Sequence, residues 1–161
     1  VAGLLGLPFS FAHHFASGAT DEAVATYRAS FRPSASLAEP HVMLGVSVTC
    51  ADDDARARWL AKPSVIGFLR LRAGRPGRMI TPEAAAEHTF TPSEREFVKG
   101  WTASQVVGSP ATVRSRLDEL VARTGADELM VTTMVHGHDD RLRSYELVAE
   151  VAGLREPAGR P

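Results

Sequence analysis

The sequence predicts an α/β protein built on parallel strands, and three observations carry that reading. First, Val107-Gly108-Ser109-Pro110-Ala111-Thr112-Val113 contains a helix start, because the Ser109 hydroxyl suits the N-cap and Pro110 the first helical position. Second, Val113, Leu117, Leu120 and Val121 recur at helical spacing, and Gly125 supplies the left-handed residue past the last turn. Third, residues 129–131 are apolar on both sides, as a parallel strand covered by helices must be. A helix followed at once by a buried strand is half of a βαβ unit.

The other elements follow in order. Residues 1–5 read as the last turns of a helix without a start signal, closed by Gly6 before Pro8. Bulky Phe9 and Phe11 alternate with small Ser10 and Ala12, which predicts a short strand over about 8–13. After a loop, Thr20 or Asp21 caps a helix to about Phe31, with Val24, Tyr27 and Phe31 on one face. The strongest strand is 42–49, with little polarity on either side. Residues 51–54 then turn the chain and cap a helix carrying Arg56, Trp59 and Leu60, which Pro63 interrupts and 65–71 resumes. Gly74, Pro76 and Gly77 mark a linker, and Pro82, Pro92 and Gly100 punctuate two short helical pieces, 83–87 and 93–99. After a third strand at 128–134, Asp139 or Asp140 caps a last helix with Leu142, Tyr145, Val148 and Ala152 inward. The tail 155–161 reads as disordered. Strands separated by helices pair in parallel through right-handed crossovers, here as neighbours in sequence order.

Bulk properties exclude several functions. The chain has 161 residues, enough for one domain with a proper core. Its net charge of −1 offers no electrostatic case for nucleic acid or an anionic membrane. The apolar run 42–48 is too short to span a bilayer, and no secretory signal pattern opens the sequence. A lone Cys50 excludes an internal disulfide and suits a reducing cytoplasm, where it reads as a packing residue. The predominance of arginine over lysine, which occurs only at Lys62 and Lys99, points to a GC-rich bacterial genome.

Residues 107–145, with Gly-Leu-Pro-Phe-Ser-Phe-Ala-His-His-Phe at 6–15, resemble the C-terminal half of the bacterial luciferase-like flavin monooxygenases. The Val-Gly-Ser-Pro step, Gly-Ala-Asp-Glu-Leu at 125–129 and the His13-His14 pair carry the likeness, which runs from Val1 to about Leu154. The resemblance implies the C-terminal part of a (β/α)8 TIM barrel over 1–154. Three strands cannot close such a barrel. The chain is therefore expected to be a fragment, to be complemented by a separate N-terminal half, or to pair with a copy as a homo-oligomer. The helix without a beginning at Val1 points to a fragment. The resemblance further implies a cytoplasmic monooxygenase using reduced FMN and O2 on a small organic substrate. A flavin reductase would supply the FMNH2, and the fragment alone would be inactive. A deazaflavin (F420)-dependent oxidoreductase of the same barrel class, or a non-catalytic subunit, stays open, because the discriminating strands would lie upstream.

In a parallel barrel, ligands gather at the C-terminal ends of the strands. That rule selects His13 and His14, then Ser47, Thr49 and Cys50, then Thr132, Thr133 and His136. Imidazole hydrogen-bonds readily and titrates near neutrality. Alternation along a strand lets only one of two adjacent histidines point inward. The resemblance puts His13 against the flavin ring, as catalytic and cofactor-binding residue; by their place at the strand ends His14, Ser47, Thr132 and Thr133 are the further cofactor contacts expected, the threonines reading equally as strand formers. No metal site is expected, since the adjacent histidines diverge and no carboxylate joins them. His136 and His138 read as loop and capping residues, with zinc ligation as the alternative. The Ser109-Pro110 start reads as structural rather than as an anion site, and Arg114, Arg116, Arg141 and Arg143 as a solvated face. Residues 74–104 are too long for an ordinary connection. The resemblance makes them a mobile lid hinged at Gly74, Gly77 and Gly100, with Phe90, Phe97 and Trp101 as apolar cover. The same segment also reads as two helices docked on the outside.

Overall fold

The structure, a computed structural model, describes residues 1–154 apart from the Ser17 side chain; the tail 155–161 lies outside the described residues. Internal contacts divide the chain into two compact units, Val1–Ser47 with Leu117–Thr132, and Val48–Arg116 with the chain from Thr133 onward.

In the first unit, α1 (Ala2–Leu5) closes at Gly6, whose φ of 62° is the left-handed conformation that glycine alone adopts without strain. Next come β1 (Phe9–Phe11), α2 (His13–Ala16), a 3-10 turn (Ser17–Ala19) and α3 (Thr20–Ser30). The strand expected to reach residue 13 therefore ends at Phe11. β2 (Val42–Cys50) contributes its first six residues, α7 (Pro110–Thr124) its last turns, and β4 (Glu128–Thr132) completes the unit. β1 and β4 both pair with β2 in parallel, with Phe9 opposite Val42 and Ser47 opposite Thr132. The expected order of three parallel neighbours holds.

Residues in register on parallel strands point to the same side, so the sheet has two chemically distinct faces. Val42, Leu44 and Val46, each 0% exposed, share one face with Phe9, Phe11, Leu129 and Val131. There the Tyr27 ring of α3 stacks on Phe9 at 5.0 Å. Its hydroxyl donates to the Leu7 carbonyl and accepts from the His41 amide. The other face carries Ser10, Met43, Gly45, Ser47, Glu128, Met130 and Thr132. Met130 is 52% exposed, so residues 129–131 are covered on one side only. The Asp127 carboxylate accepts from the Val42 amide at 2.8 Å, while its own N–H donates to the Val42 carbonyl. These two bonds tie the entry of β4 to that of β2.

In the second unit, residues 48–50 of β2 pair in parallel with β3 (Val106–Gly108). Three residues are too few to show a period, so this strand escapes a sequence reading. The expected interruption at Pro63 does not occur, because α4 (Asp54–Arg72) runs through it as one helix. An interior proline costs about 3 kcal/mol. Burying Leu60, Val65 and Ile66 around it returns roughly 1.5–3 kcal/mol each and outweighs that cost. α5 (Pro82–Ala86) and α6 (Pro92–Thr102) start as expected, at prolines capped by Thr81 and Thr91, but α6 continues past Gly100.

The last helix, α8 (His138–Val151), starts after Gly137 without a side-chain cap, and Asp140 instead accepts from Arg56 at 2.7 Å. Its expected inward face is rotated. Ser144, Leu147, Val148 and Val151 are buried, whereas Leu142 and Tyr145 are 48% and 40% exposed. The cause is the Ser144 hydroxyl, which accepts from the Cys50 amide at 2.9 Å and so satisfies a polar side chain inside. Ala51, Ala57, Leu60 and Val135 form the core cluster here, with Trp59 and Val107 packed against it. No described helix is long and apolar enough to cross a membrane.

Candidate functional site

Because α2 begins at His13, the two histidines leave the chain at helical rather than strand angles. His13 turns into the protein, 6% exposed, with Nδ1 2.8 Å from the Oγ1 of the fully buried Thr20. Burial first, and then the Arg123 guanidinium, hold its imidazole below the usual range. The expectation that His13 is the inward-facing member of the pair rested on strand alternation, and it is corrected here. His14 is the residue that reaches the open face.

The His14 Nδ1 lies 2.8 Å from the Gly45 carbonyl in the middle of β2. A carbonyl only accepts, so Nδ1 carries the proton, and in the neutral ring Nε2 is the acceptor. A Cβ built on Gly45 would stand 3.0 Å from His14 Cε1 and 3.1 Å from Nδ1. The imidazole thus occupies the space that any other residue at 45 would fill. Met130 stands opposite Gly45, and Ser47 opposite Thr132 in the next row toward the strand tips. All three of Gly45, Ser47 and Thr132 are half-buried, and the Thr132 hydroxyl reaches the Val46 carbonyl at 3.5 Å. The arrangement combines one oriented imidazole, two hydroxyls and two thioethers, Met43 and Met130, on a single face. Gly45 and Met130 are not among the residues singled out from the sequence. An isolated glycine inside the best strand was the available signal, since it marks close approach by another group.

Thr133 behaves differently from Thr132. In the second unit it is buried, its hydroxyl donates to the Val48 carbonyl at 2.9 Å and its amide donates to the Tyr145 hydroxyl. The proton of that hydroxyl is thus committed to β2, and Thr133, expected among the cofactor contacts, is buried apart from Thr132. Cys50 is 1% exposed, and burial pushes its thiol up to about 11, as fits a packing residue. At the start of α7 the Asp54 carboxylate already accepts from the Ser109 amide at 2.6 Å. That turn is therefore internally satisfied, in line with its structural reading. Among the described residues no group of three or more metal-ligating side chains occurs, and His138 Nδ1 pairs with Arg141 instead.

The residues expected to form a lid are packed. Phe97 and Trp101 stack on Phe68 of α4, at 5.9 and 4.7 Å, and Gly100 lies inside α6 rather than at a hinge. Of the two arrangements open for 74–104, these contacts have the form of helices docked on a neighbour.

No family model matches the sequence. Among curated proteins, the chain is 40% identical over 151 residues to the uncharacterized protein YvbT of Bacillus subtilis (strain 168). It is 36% identical over 151 residues to a luciferase-like monooxygenase of Escherichia coli (strain K12). Both alignments cover 94% of this chain and 45% of the relative. Among solved structures, apo-MsnO8 superimposes with a TM-score of 0.81 at 34% identity, covering 97% of this chain and 48% of that one. Over nearly its whole length the chain is similar to a luciferase-like monooxygenase. It spans slightly under half the length of the curated relatives it matches. The same fold occurs in the oxygenating constituent of 3,6-diketocamphane monooxygenase from Pseudomonas putida, in complex with FMN. That match has a TM-score of 0.55 at 22% identity and covers 97% of this chain and 45% of the other. With its parallel βα order, this luciferase-like chain is an α/β partial TIM barrel.

Proposed function

We propose that the chain is half of a flavin-dependent monooxygenase barrel and that its open sheet face receives reduced FMN. The observation that supports this reading most is His14 seated over Gly45, in a chain whose curated relatives include a luciferase-like monooxygenase. The residues suit the group. Met43 and Met130 offer apolar, polarizable contact to a flat ring, while the Ser47 and Thr132 hydroxyls can bond its polar edge. His14 is oriented by its bond to the Gly45 carbonyl, which fixes its ring on the open face. When bound, reduced FMN supplies the two electrons with which O2 delivers one atom to an organic substrate and the other to water. This chain's part is to hold the ring flat, orient a hydrogen bond and limit water on that face. His13, buried on Thr20, positions α2 and so acts through His14. A covering role for 74–104 would require Phe97 and Trp101 to leave Phe68.

The test completes the barrel. The chain is joined to the part of the Escherichia coli relative that it does not match. FMN binding is followed by fluorescence, and peroxide release with a flavin reductase present. The assembled barrel should bind FMN and lower peroxide release below that of the reductase alone, whereas the 161-residue chain alone should do neither at micromolar flavin. In the assembled protein, His14→Ala should cut product yield and raise hydrogen peroxide roughly 10- to 100-fold relative to product, as expected for losing one strong hydrogen bond of about 1.5–3 kcal/mol. His13→Ala should chiefly lower stability. Submicromolar FMN binding by the chain alone, or an unaffected His14→Ala, would refute the reading.

A further inference from the structure

The second unit carries a basic groove that the flavin reading leaves unused. It lies where α4 ends, between the linker after that helix and the residues joining α5 to α6. Arg70, Arg72 and Arg75 line it with His88, beside the apolar Ile66 and Leu69. None of the three arginines forms an ion pair among the described residues. Arg72 rests over the Phe97 ring at 4.7 Å, which braces its guanidinium at the groove edge. The carboxylate lining the groove, Glu94, is engaged in a capping box and accepts from the Thr91 amide at 2.8 Å. His88 Nε2 is buried and has no hydrogen-bond partner.

Each feature points the same way. His88 lines the groove beside the arginines, while its Nε2 is shielded from solvent. Three guanidiniums around one concavity, with the neighbouring carboxylate already bonded, present a net positive field to whatever enters. Planar guanidinium donors match the oxygens of a phosphate in paired fashion, which a flexible ammonium does not. We propose that this groove binds a small phosphate-bearing molecule, with Arg70 and Arg75 holding the phosphate and the His88 ring forming part of the wall against it. The apolar Ile66 and Leu69 leave room for a carbon skeleton beside the charge. The groove is separate from the turn at Ser109. Asp54, which bonds that turn, opens α4, whereas the groove is at the other end of this 19-residue helix, roughly 18–27 Å away along its axis at 1.5 Å per residue. The proposal stands independently of the flavin reading.

The test is a titration of the full chain with inorganic phosphate, followed by nuclear magnetic resonance, against sodium chloride at matched ionic strength. Saturable shifts at the His88 ring and at residues 73–77, absent in chloride, are expected. Arg70 and Arg75 are exposed, so the double variant Arg70→Gln/Arg75→Gln should keep the wild-type circular dichroism while binding phosphate about 10-fold more weakly, as loss of charge-assisted bonds implies. His88→Gln should weaken binding and leave the arginines in place. Shifts no larger than the chloride control would overturn the proposal. So would saturable shifts that avoid His88, or unchanged affinity in the folded double variant.

Discussion

The His14 ring stands over Gly45, its Nδ1 donating to the Gly45 carbonyl at 2.8 Å, where a side chain at 45 would otherwise be. A strand glycine and a helix histidine, separated by 31 positions, are thereby one structural feature. Gly45→Ala tests it directly. The new methyl would press on the imidazole at 3.0 Å and displace it, at a cost of about 1–3 kcal/mol. Alanine in a strand is otherwise favoured over glycine by up to about 1 kcal/mol. A net loss of stability in urea unfolding, with shifted His14 ring resonances, is the expected result. A stabilised variant would show that the ring does not need that space.

The buried His13 makes stability pH-dependent in a stated direction. Burial, then Arg123, lowers its imidazole below the ordinary 6.5, so the folded state takes up fewer protons than the unfolded chain in that window. The group's stabilisation is full above about pH 6.5 and declines as pH falls toward the depressed folded value. Thermal midpoints measured from pH 8 down to pH 5 should fall, and His13→Asn should flatten that slope. An identical slope in the variant would assign the dependence to other groups.

Cys50 should be chemically silent in the native protein. Its thiol is 1% exposed and pushed up to about 11, so little thiolate exists at pH 8. A disulfide reagent should leave native protein unlabelled over the time in which unfolded chain gains one equivalent, a rate difference of at least roughly a hundredfold. Rapid native labelling would mean that the end of β2 opens readily.

Exposed thioether surface and strand edges should drive association. Among the described residues β1 and β4 each pair with β2 alone, and Met130 on the open face is 52% exposed. Unpaired edges and an exposed Met130 invite a copy. Sedimentation velocity of the isolated chain should show dimers or larger species, and Met130→Lys should shift them toward monomer. A wild-type monomer across the concentration range would contradict this.

Local punctuation in this sequence was legible because it depends on what single residues can adopt. Gly6 and Gly125 end their helices with φ of 62° and 61°. Pro82, Pro92 and Pro110 open theirs at threonine or serine. The long apolar strand at 42–50 and the alternation of strands with helices were legible for the same reason, and with them the α/β class. Tertiary partners decided the rest. Whether residue 13 continues a strand or begins a helix depended on Thr20, and which histidine met the open face depended on a glycine 31 positions away. The face that α8 buries turned on the Ser144 hydroxyl meeting the Cys50 amide, 94 positions distant. Pro63 stayed helical because its flanks are buried. Each outcome was set by a hydrogen bond or packing contact whose second member lies outside any local window, and only the folded chain brings the two together.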